Sequence, residues 1–301
     1  MDRIDALRAF VRVVDCESFT RAAETLRMPR SSVSTAIQGL ESRLGTTLLQ
    51  RTTRRVALTP DGAAFHERCL RLIGDYEEAE TLFRGASPAR GRLRISVPGR
   101  IGRLVLAPAL PDFLARHPDL ELDIGVEDRP VDLVEGGFDC AVRVGGVGDE
   151  SLVARPIGDL VLVNCASPAY LARHGTPRLA GDLSGHTAIG YASPSSGRVA
   201  AWEYVEDGET RAIALPRQVT VNCAETYIAC CLAGLGLVQV PAYDVRLHLE
   251  RGELVEVMPD LRAEPMPLAF VYPHRSRLSR RLKTVMDWAD ELFTETILRP
   301  A

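Results

Sequence analysis

Lysine is nearly missing from this chain: Lys283 is the only one among 36 basic residues, so its positive charge is almost wholly arginine. Aromatic residues make up 6%, and no apolar run approaches the ~20 residues needed to span a bilayer. In the first residues Arg8 and Arg12 interrupt the apolar positions, which marks an amphipathic helix and not a secretory leader; a cytoplasmic protein without a membrane partner is expected. Seven cysteines, at 16, 69, 140, 165, 223, 230 and 231, show no C-x-x-C spacing, and their odd number argues against a disulfide framework. Single buried thiols are the expectation. Six histidines, at 66, 117, 174, 186, 248 and 274, fall at no metal-binding spacing, so no metal and no cofactor is expected. G-x-S-x-G elbow and P-loop are both missing, and Gly145-Gly146-Val147-Gly148 reads as a loop and not a phosphate cradle. No catalytic residue can be named, and no enzyme is expected.

What is present is an ordinary globular composition, 46% hydrophobic and 25% charged, over 301 residues, enough for two or three domains. The formal net charge of −4 is unevenly placed. Residues 1–60 hold ten arginines against six acids, a surplus of four positive charges that leaves the remaining 241 residues at −8. A basic head on an acidic body implies that only the head meets phosphates.

In the head, Ile4, Leu7, Phe10, Val11 and Val14 recur at helical spacing and predict a helix over 3–15. Ser18 is a suitable cap for a second helix, 20–26, where the small Ala22 and Ala23 let another helix cross closely. Pro29 opens a third, 30–44, with Val33, Ile37, Leu40 and Leu44 on one side. Its other side carries Ser31, Thr35, Gln38 and Ser42, flanked by Arg30, Ser32 and Ser34. Hydroxyls suit phosphates and base edges, and an amide can pair with adenine. Two short strands, 48–50 and 56–58, enclose Arg51, Thr52, Thr53, Arg54 and Arg55, a hairpin with a cationic tip suited to the backbone or minor groove of double-stranded DNA. Arg30, Ser31, Ser32, Ser34, Thr35, Gln38, Arg51, Arg54 and Arg55 are therefore the candidate DNA contacts.

Thr59 caps a long helix that opens with Pro60 and runs to about residue 83. Phe65, Cys69, Leu72, Tyr76, Ala79 and Phe83 repeat every 3.5 residues, as in a coiled-coil seam. Either a second copy covers this stripe or the stripe packs on its own domain. A Gly/Ser/Pro-containing hinge follows, and then strand and helix signals alternate. Strands at 91–98, 120–127 and 138–145, with helices over 101–116 and 131–135, predict a mostly parallel sheet covered by helices. Further strands are expected at 159–167, 186–191, 200–205, 217–222, 236–241 and 267–273. Helices are expected at 168–175, 224–233 and 279–293, with crossings between two lobes near 163 and 267.

In open α/β sheets a ligand sits beyond the carboxyl ends of strands, near helix N-termini. Ser96, Pro98, Gly99, Arg100 and Ile101 meet that description, as do Arg143 and Gly145, and Asn222, Cys223 and Ala224 with Glu225 behind them. Free backbone N–H groups and Arg100 would favour an anionic effector; alternatively Arg100 partly fills the cleft or points to solvent. Cys223 leaves open a thiol-based redox sensor.

The stretch from Ser18 to Gly62 resembles the N-terminal signature of LysR-type transcription regulators. The shared features are Ala22-Ala23, Val33-Ser34-Thr35-Ala36-Ile37, Leu40-Glu41-Ser42-Arg43-Leu44-Gly45, an arginine-rich wing and Leu58-Thr59-Pro60-Asp61-Gly62. Cys230-Cys231-Leu232-Ala233-Gly234-Leu235-Gly236 resembles the same family further along. The resemblance implies a winged helix-turn-helix over 1–59, a dimerising linker helix over 60–85, a hinge at 86–91 and an effector-binding domain over 92–301. That domain would be an α/β fold of the two-lobed periplasmic-binding-protein type, with one lobe from 92–163 and 267–301 and the other from 164–266. It also implies a small-molecule effector, a homodimer or tetramer, and RNA polymerase as a further partner. Members often carry a small hydroxyl residue near the position of Arg100. A ligand-binding or enzymatic domain whose helix-turn-helix serves protein contacts is the competing reading.

Overall fold

A computed structural model describes residues 2–51, 56–81, 89–129, 131–146, 151–193, 196–273 and 278–298. The chain divides into two units, Met1–Arg92 and Leu93–Ala301.

The first unit opens with three helices: α1 (Arg3–Cys16), α2 (Phe19–Leu26) and α3 (Arg30–Leu44). Ser18 caps α2, its Oγ accepting from the Arg21 N–H, and α3 stops at Gly45 in a left-handed turn. Phe10, Val13, Ala22, Val33 and Ile37 are fully buried where the three helices meet. Leu44, expected on the buried side of α3, is instead exposed, because the helix ends before a neighbour reaches it. Strands β1 (Leu49–Arg51) and β2 (Val56–Leu58) pair antiparallel, and α4 (Pro60–Thr81) follows directly. The start of α4 is tied to the hairpin: Thr59 Oγ1 accepts from the Gly62 N–H at 2.9 Å and donates to the Thr47 carbonyl at 2.7 Å. A Cβ at Gly62 would stand 1.9 Å from the Leu48 carbonyl oxygen, so only glycine lets the helix approach this closely.

The expected seam of α4 divides. Cys69 is fully buried in the head's core, and Phe65 packs there against Phe10, ring centroids 5.5 Å apart. Cys69 is therefore closed to a second chain, whereas Phe65 is only half-buried. Leu72, 52% exposed, and Tyr76 and Ala79 face outward. Phe83 lies outside the described residues.

In the second unit β3 (Gly91–Val97) leads into α5 (Gly99–Ile101), a π-helical turn (Gly102–Leu106) and α6 (Ala107–Arg116), one continuous rod that begins two residues before the expected helix. Strands β4 (Leu120–Val126), β5 (Cys140–Val144) and β6 (Leu152–Leu160) follow. The expected helix over 131–135 is absent and a turn spans 133–137: Asp132 Oδ1 accepts from the Val134 and Glu135 N–H groups, which competes with helical bonding. Strand β6 was not anticipated. The chain crosses at Val161 into β7 (Leu162–Ala166), α7 (Pro168–His174), β8 (Gly190–Tyr191), β9 (Trp202–Glu206), β10 (Glu209–Ile213) and β11 (Thr220–Val221). Next come α8 (Ala224–Leu232), β12 (Val238–Pro241), α9 (Ala242–Glu250) and β13 (Val255–Glu256). The return is β14 (Met266–Pro273), and the described chain closes with α10 (Arg280–Thr296), capped by Ser279.

The first lobe is a five-stranded sheet in the order β4-β3-β5-β14-β6, with β3 and β5 parallel and β14 antiparallel to both neighbours. The second lobe is built on β12-β7-β13, with the small pairs β8–β11 and β9–β10 beside it. Since Leu162 and Val163 already pair with β12, the crossing falls two residues before the expected 163. The architecture is α/β with a helix-rich winged head.

Candidate nucleic-acid interface and effector cleft

Helix α3 presents two chemically distinct sides. Val33 and Ile37 are fully buried, while Arg30, Ser31, Thr35 and Gln38 are exposed, and Ser32 and Ser34 are half-buried. Glu41, at the far end, fixes the hairpin to this helix: its Oε1 accepts from the Leu48 N–H at 2.9 Å and the Leu49 N–H at 3.2 Å. The acid in the Leu-Glu-x-x-Leu-Gly step thus sets the angle between helix and wing. Arg54 and Arg55 lie outside the described residues, and for Arg51 only the strand backbone is described.

In the second unit, Gly99, Arg100, Ala224 and Glu225, from segments expected to line a ligand site, are brought together at the junction of the two lobes. The sequence leaves Arg100 either as a charge available to an anion or as a side chain that partly fills the cleft, and the second alternative is the one observed. Its side chain is 4% exposed and committed to two carboxylates of the second lobe. Nε donates to Asp244 Oδ1 at 3.1 Å, Nη1 donates to Glu225 Oε2 at 2.7 Å, and Nη2 donates to the Asp244 carbonyl. Arg103, one turn later, also holds Glu225, at 2.7 Å. The backbone N–H groups expected to attract an anion are likewise engaged. Asp128 Oδ1 accepts from Gly99 at 3.0 Å and its Oδ2 from Ala224 at 3.1 Å, so one carboxylate of the chain serves two helix starts.

Burial sets the protonation of this group. Desolvation raises Asp244 to about 6 against the pull of Arg100, and the Tyr243 phenol beside it is raised well above its ordinary 10 for the same reason. Glu225, open to water, is only lowered, its burial outweighed by Arg103 and Arg100. Glu225 was expected here only as part of the segment 222–225, whereas Asp128, Asp244 and Arg103 were not anticipated as parts of the site. Glu225 carried a usable signal, a carboxylate in the first turn of α8; Asp128 lies in a bend after β4, remote in sequence from the helix starts it serves, and Asp244 sits on α9, which was not anticipated.

The other candidates divide. Ser96 is wholly buried and its Oγ has no hydrogen-bond partner among the described residues; Ile101 is buried as well. Pro98, Gly99, Cys223 and Ala224 are half-buried, and Asn222 is exposed. Arg143 donates to the Val131 carbonyl at 3.2 Å, and the Gly145 N–H donates to Pro267, both within the first lobe. Cys69, Cys140, Cys165 and Cys231 are buried, with thiols pushed above their ordinary range by desolvation, the opposite of a reactive cysteine.

Residues 4–63 match the bacterial regulatory helix-turn-helix family of the lysR type, and residues 86–294 match the LysR substrate-binding domain. The chain is a member of the LysR family. LysR-type relatives match it along nearly all its length. An uncharacterized HTH-type transcriptional regulator of Escherichia coli K12, YhjC, is 43% identical, covering 98% of this chain and 99% of its own. An HTH-type transcriptional repressor of Pseudomonas aeruginosa is 36% identical, covering 98% and 93%. The solved structure of CrgA, a LysR-type regulator from Neisseria meningitidis, superposes with a TM-score of 0.60 at 31% identity, covering 95% of this chain and 97% of that one. As a LysR regulator the protein binds DNA through its helix-turn-helix and a small molecule through its substrate-binding domain; it is not an enzyme. Among the described residues no helix is long and apolar enough to cross a membrane.

Proposed function

We propose that this regulator reads its operator with the outer side of α3, through Arg30, Ser31, Ser32, Ser34, Thr35 and Gln38, and rests Arg51, Arg54 and Arg55 of the wing on phosphates. The observation that carries this reading is the exposure of Thr35, opposite the fully buried Val33 and Ile37, and of Gln38 beside it. A helix held by its aliphatic side and offering hydroxyls and an amide fits the major groove. Two such heads are joined through the outward part of α4, Leu72, Tyr76 and Ala79, because an exposed apolar stripe on a helix gains from a second copy. The effector is taken at the lobe junction, near Ser96, Gly99 and Cys223. Arg100 and both helix starts are already neutralised by the chain's own carboxylates, which favours a ligand without strong negative charge. Binding there shifts the packing of effector domains, and with it the spacing of the heads and recruitment of RNA polymerase.

Selection of genomic fragments by the purified protein tests this reading. Recovery of a shared, two-fold symmetric sequence with steeply salt-dependent affinity is expected. Binding without sequence preference would assign the helix-turn-helix to protein contacts instead.

A further inference from the structure

Arginine is seldom buried unless it is paired, and Arg100 is buried entirely on partners from the opposite lobe. It belongs to α5 of the first lobe; Glu225 and Asp244 belong to α8 and α9 of the second. Three of its nitrogen atoms reach across, two to Asp244 and one to Glu225. Arg103 adds a second cation on Glu225, and Asp128 bridges the same two lobes through the Gly99 and Ala224 N–H groups. We infer that Arg100 is a tethered cation that locks the two lobes together, its own guanidinium occupying the acidic recess of the second lobe as a diffusible ligand would. The lobes rest closed without a small molecule, and an effector signals by displacing Arg100 from Asp244 and Glu225. A lone charge left at this depth would be costly, so the lock is either fully made or fully broken, as a two-state signal needs.

The regulatory meaning of the lock rests on the lobe junction being the effector site; the lock itself is tested separately, by amide hydrogen exchange on the full chain. In Arg100→Ala, exchange of residues 99–104 and 224–228 should quicken by about two to three orders of magnitude, the size expected when a buried ion pair loses one partner, with α1 to α3 unchanged. Guanidinium at low, non-denaturing concentration should restore slow exchange to Arg100→Ala, while sodium chloride at equal ionic strength should not. Unchanged exchange in the variant would overturn the lock, and quickening that guanidinium does not reverse would overturn the tethered-cation reading. Should Arg100→Ala fail to fold, Glu225→Gln, altered at a half-exposed partner, should still quicken the same segments several-fold, and exchange like that of the wild type would refute the proposal. Operator binding measured beside it separates the two readings: retained binding with no effect on exchange removes the lock and leaves the regulator.

Discussion

Arg100 and Asp244, 144 positions apart in sequence, meet with Nε 3.1 Å from Oδ1, and each side chain is 4% exposed. Glu225, the second carboxylate on the same guanidinium, is 43% exposed. One arginine therefore holds a buried partner and a wet one, and the two should respond differently to removal. Asp244→Ala leaves a buried guanidinium without its main counter-charge and should cost about 3–5 kcal/mol. Glu225→Ala should cost under about 1 kcal/mol, because water replaces the lost partner. Urea midpoints of the effector domain's transition check both values, and equal losses would contradict the burial described.

The pH response follows from the raised Asp244. Its folded value of about 6 lies above its ordinary 3.8, so the folded state binds this proton more tightly than the unfolded chain. The resulting stability is present at low pH and is lost as pH rises through about 6. Asp244 faces Arg100 from α5, Glu225 from α8 and Tyr243 from its own helix. His66 and His186, both lowered by burial, act in the opposite sense, losing stability as pH falls below their ordinary 6.5. The Asp244 contribution is therefore read as a difference: the melting temperature of wild type minus that of Asp244→Asn should increase between pH 7.5 and pH 5. A flat difference would show that Asp244 does not titrate there.

Gly62→Ala should damage the head. The added Cβ meets the Leu48 carbonyl oxygen at 1.9 Å, a main-chain atom that cannot rotate away. A loss of about 1–3 kcal/mol in the head's stability is expected, as for other overpacked sites, together with weakened operator binding, because the Leu48 N–H also donates to the Glu41 carboxylate that sets the wing. Thermal melting and a binding titration check the pair of effects.

Thr35→Ala and Gln38→Ala should behave in the reverse way. Both side chains are exposed, so stability should stay within about 0.5 kcal/mol. Each lost base contact should cost about 1–3 kcal/mol of specific binding while leaving non-specific affinity intact. Competition titrations between operator and random duplex measure that difference.

On α4, Leu72→Glu should abolish the self-association proposed for this stripe without unfolding the head, since Leu72 is exposed. Cys69→Ser should do the opposite, loosening the head by placing a hydroxyl among apolar neighbours while leaving association intact. Sedimentation and circular dichroism on the two variants distinguish the outward stripe from the core-facing one.

Local chemistry made the head legible. Apolar spacing marked α1 and α3, Ser18 and Thr59 marked helix starts, and the bounds of α3 and β2 agree with the reading of residues alone. These signals operate within a few positions of chain. Elsewhere they conflicted. Strand β6 contains Pro156 and Gly158, which argue against a strand; it is tolerated because β6 lies at the sheet edge, where its register with β14 shifts beside Pro156. The Asp207-Gly208 pair, both at positive φ, announced the turn before β10 and was passed over. Helix α9 is nine residues long and has no side-chain cap at its start, Pro241 standing at its N-cap.

The sequence by itself determined the two-part plan, the winged head and the acidic lobed body, because each depends on periodicity, capping and charge placed along a continuous stretch. Only the tertiary structure decided that Arg100 is spoken for, that Asp128 serves two helices and that Phe65 and Cys69 of the α4 stripe pack on the head. Those outcomes depend on desolvation and on partners as far as 144 residues away, and neither quantity has any trace in the neighbouring residues.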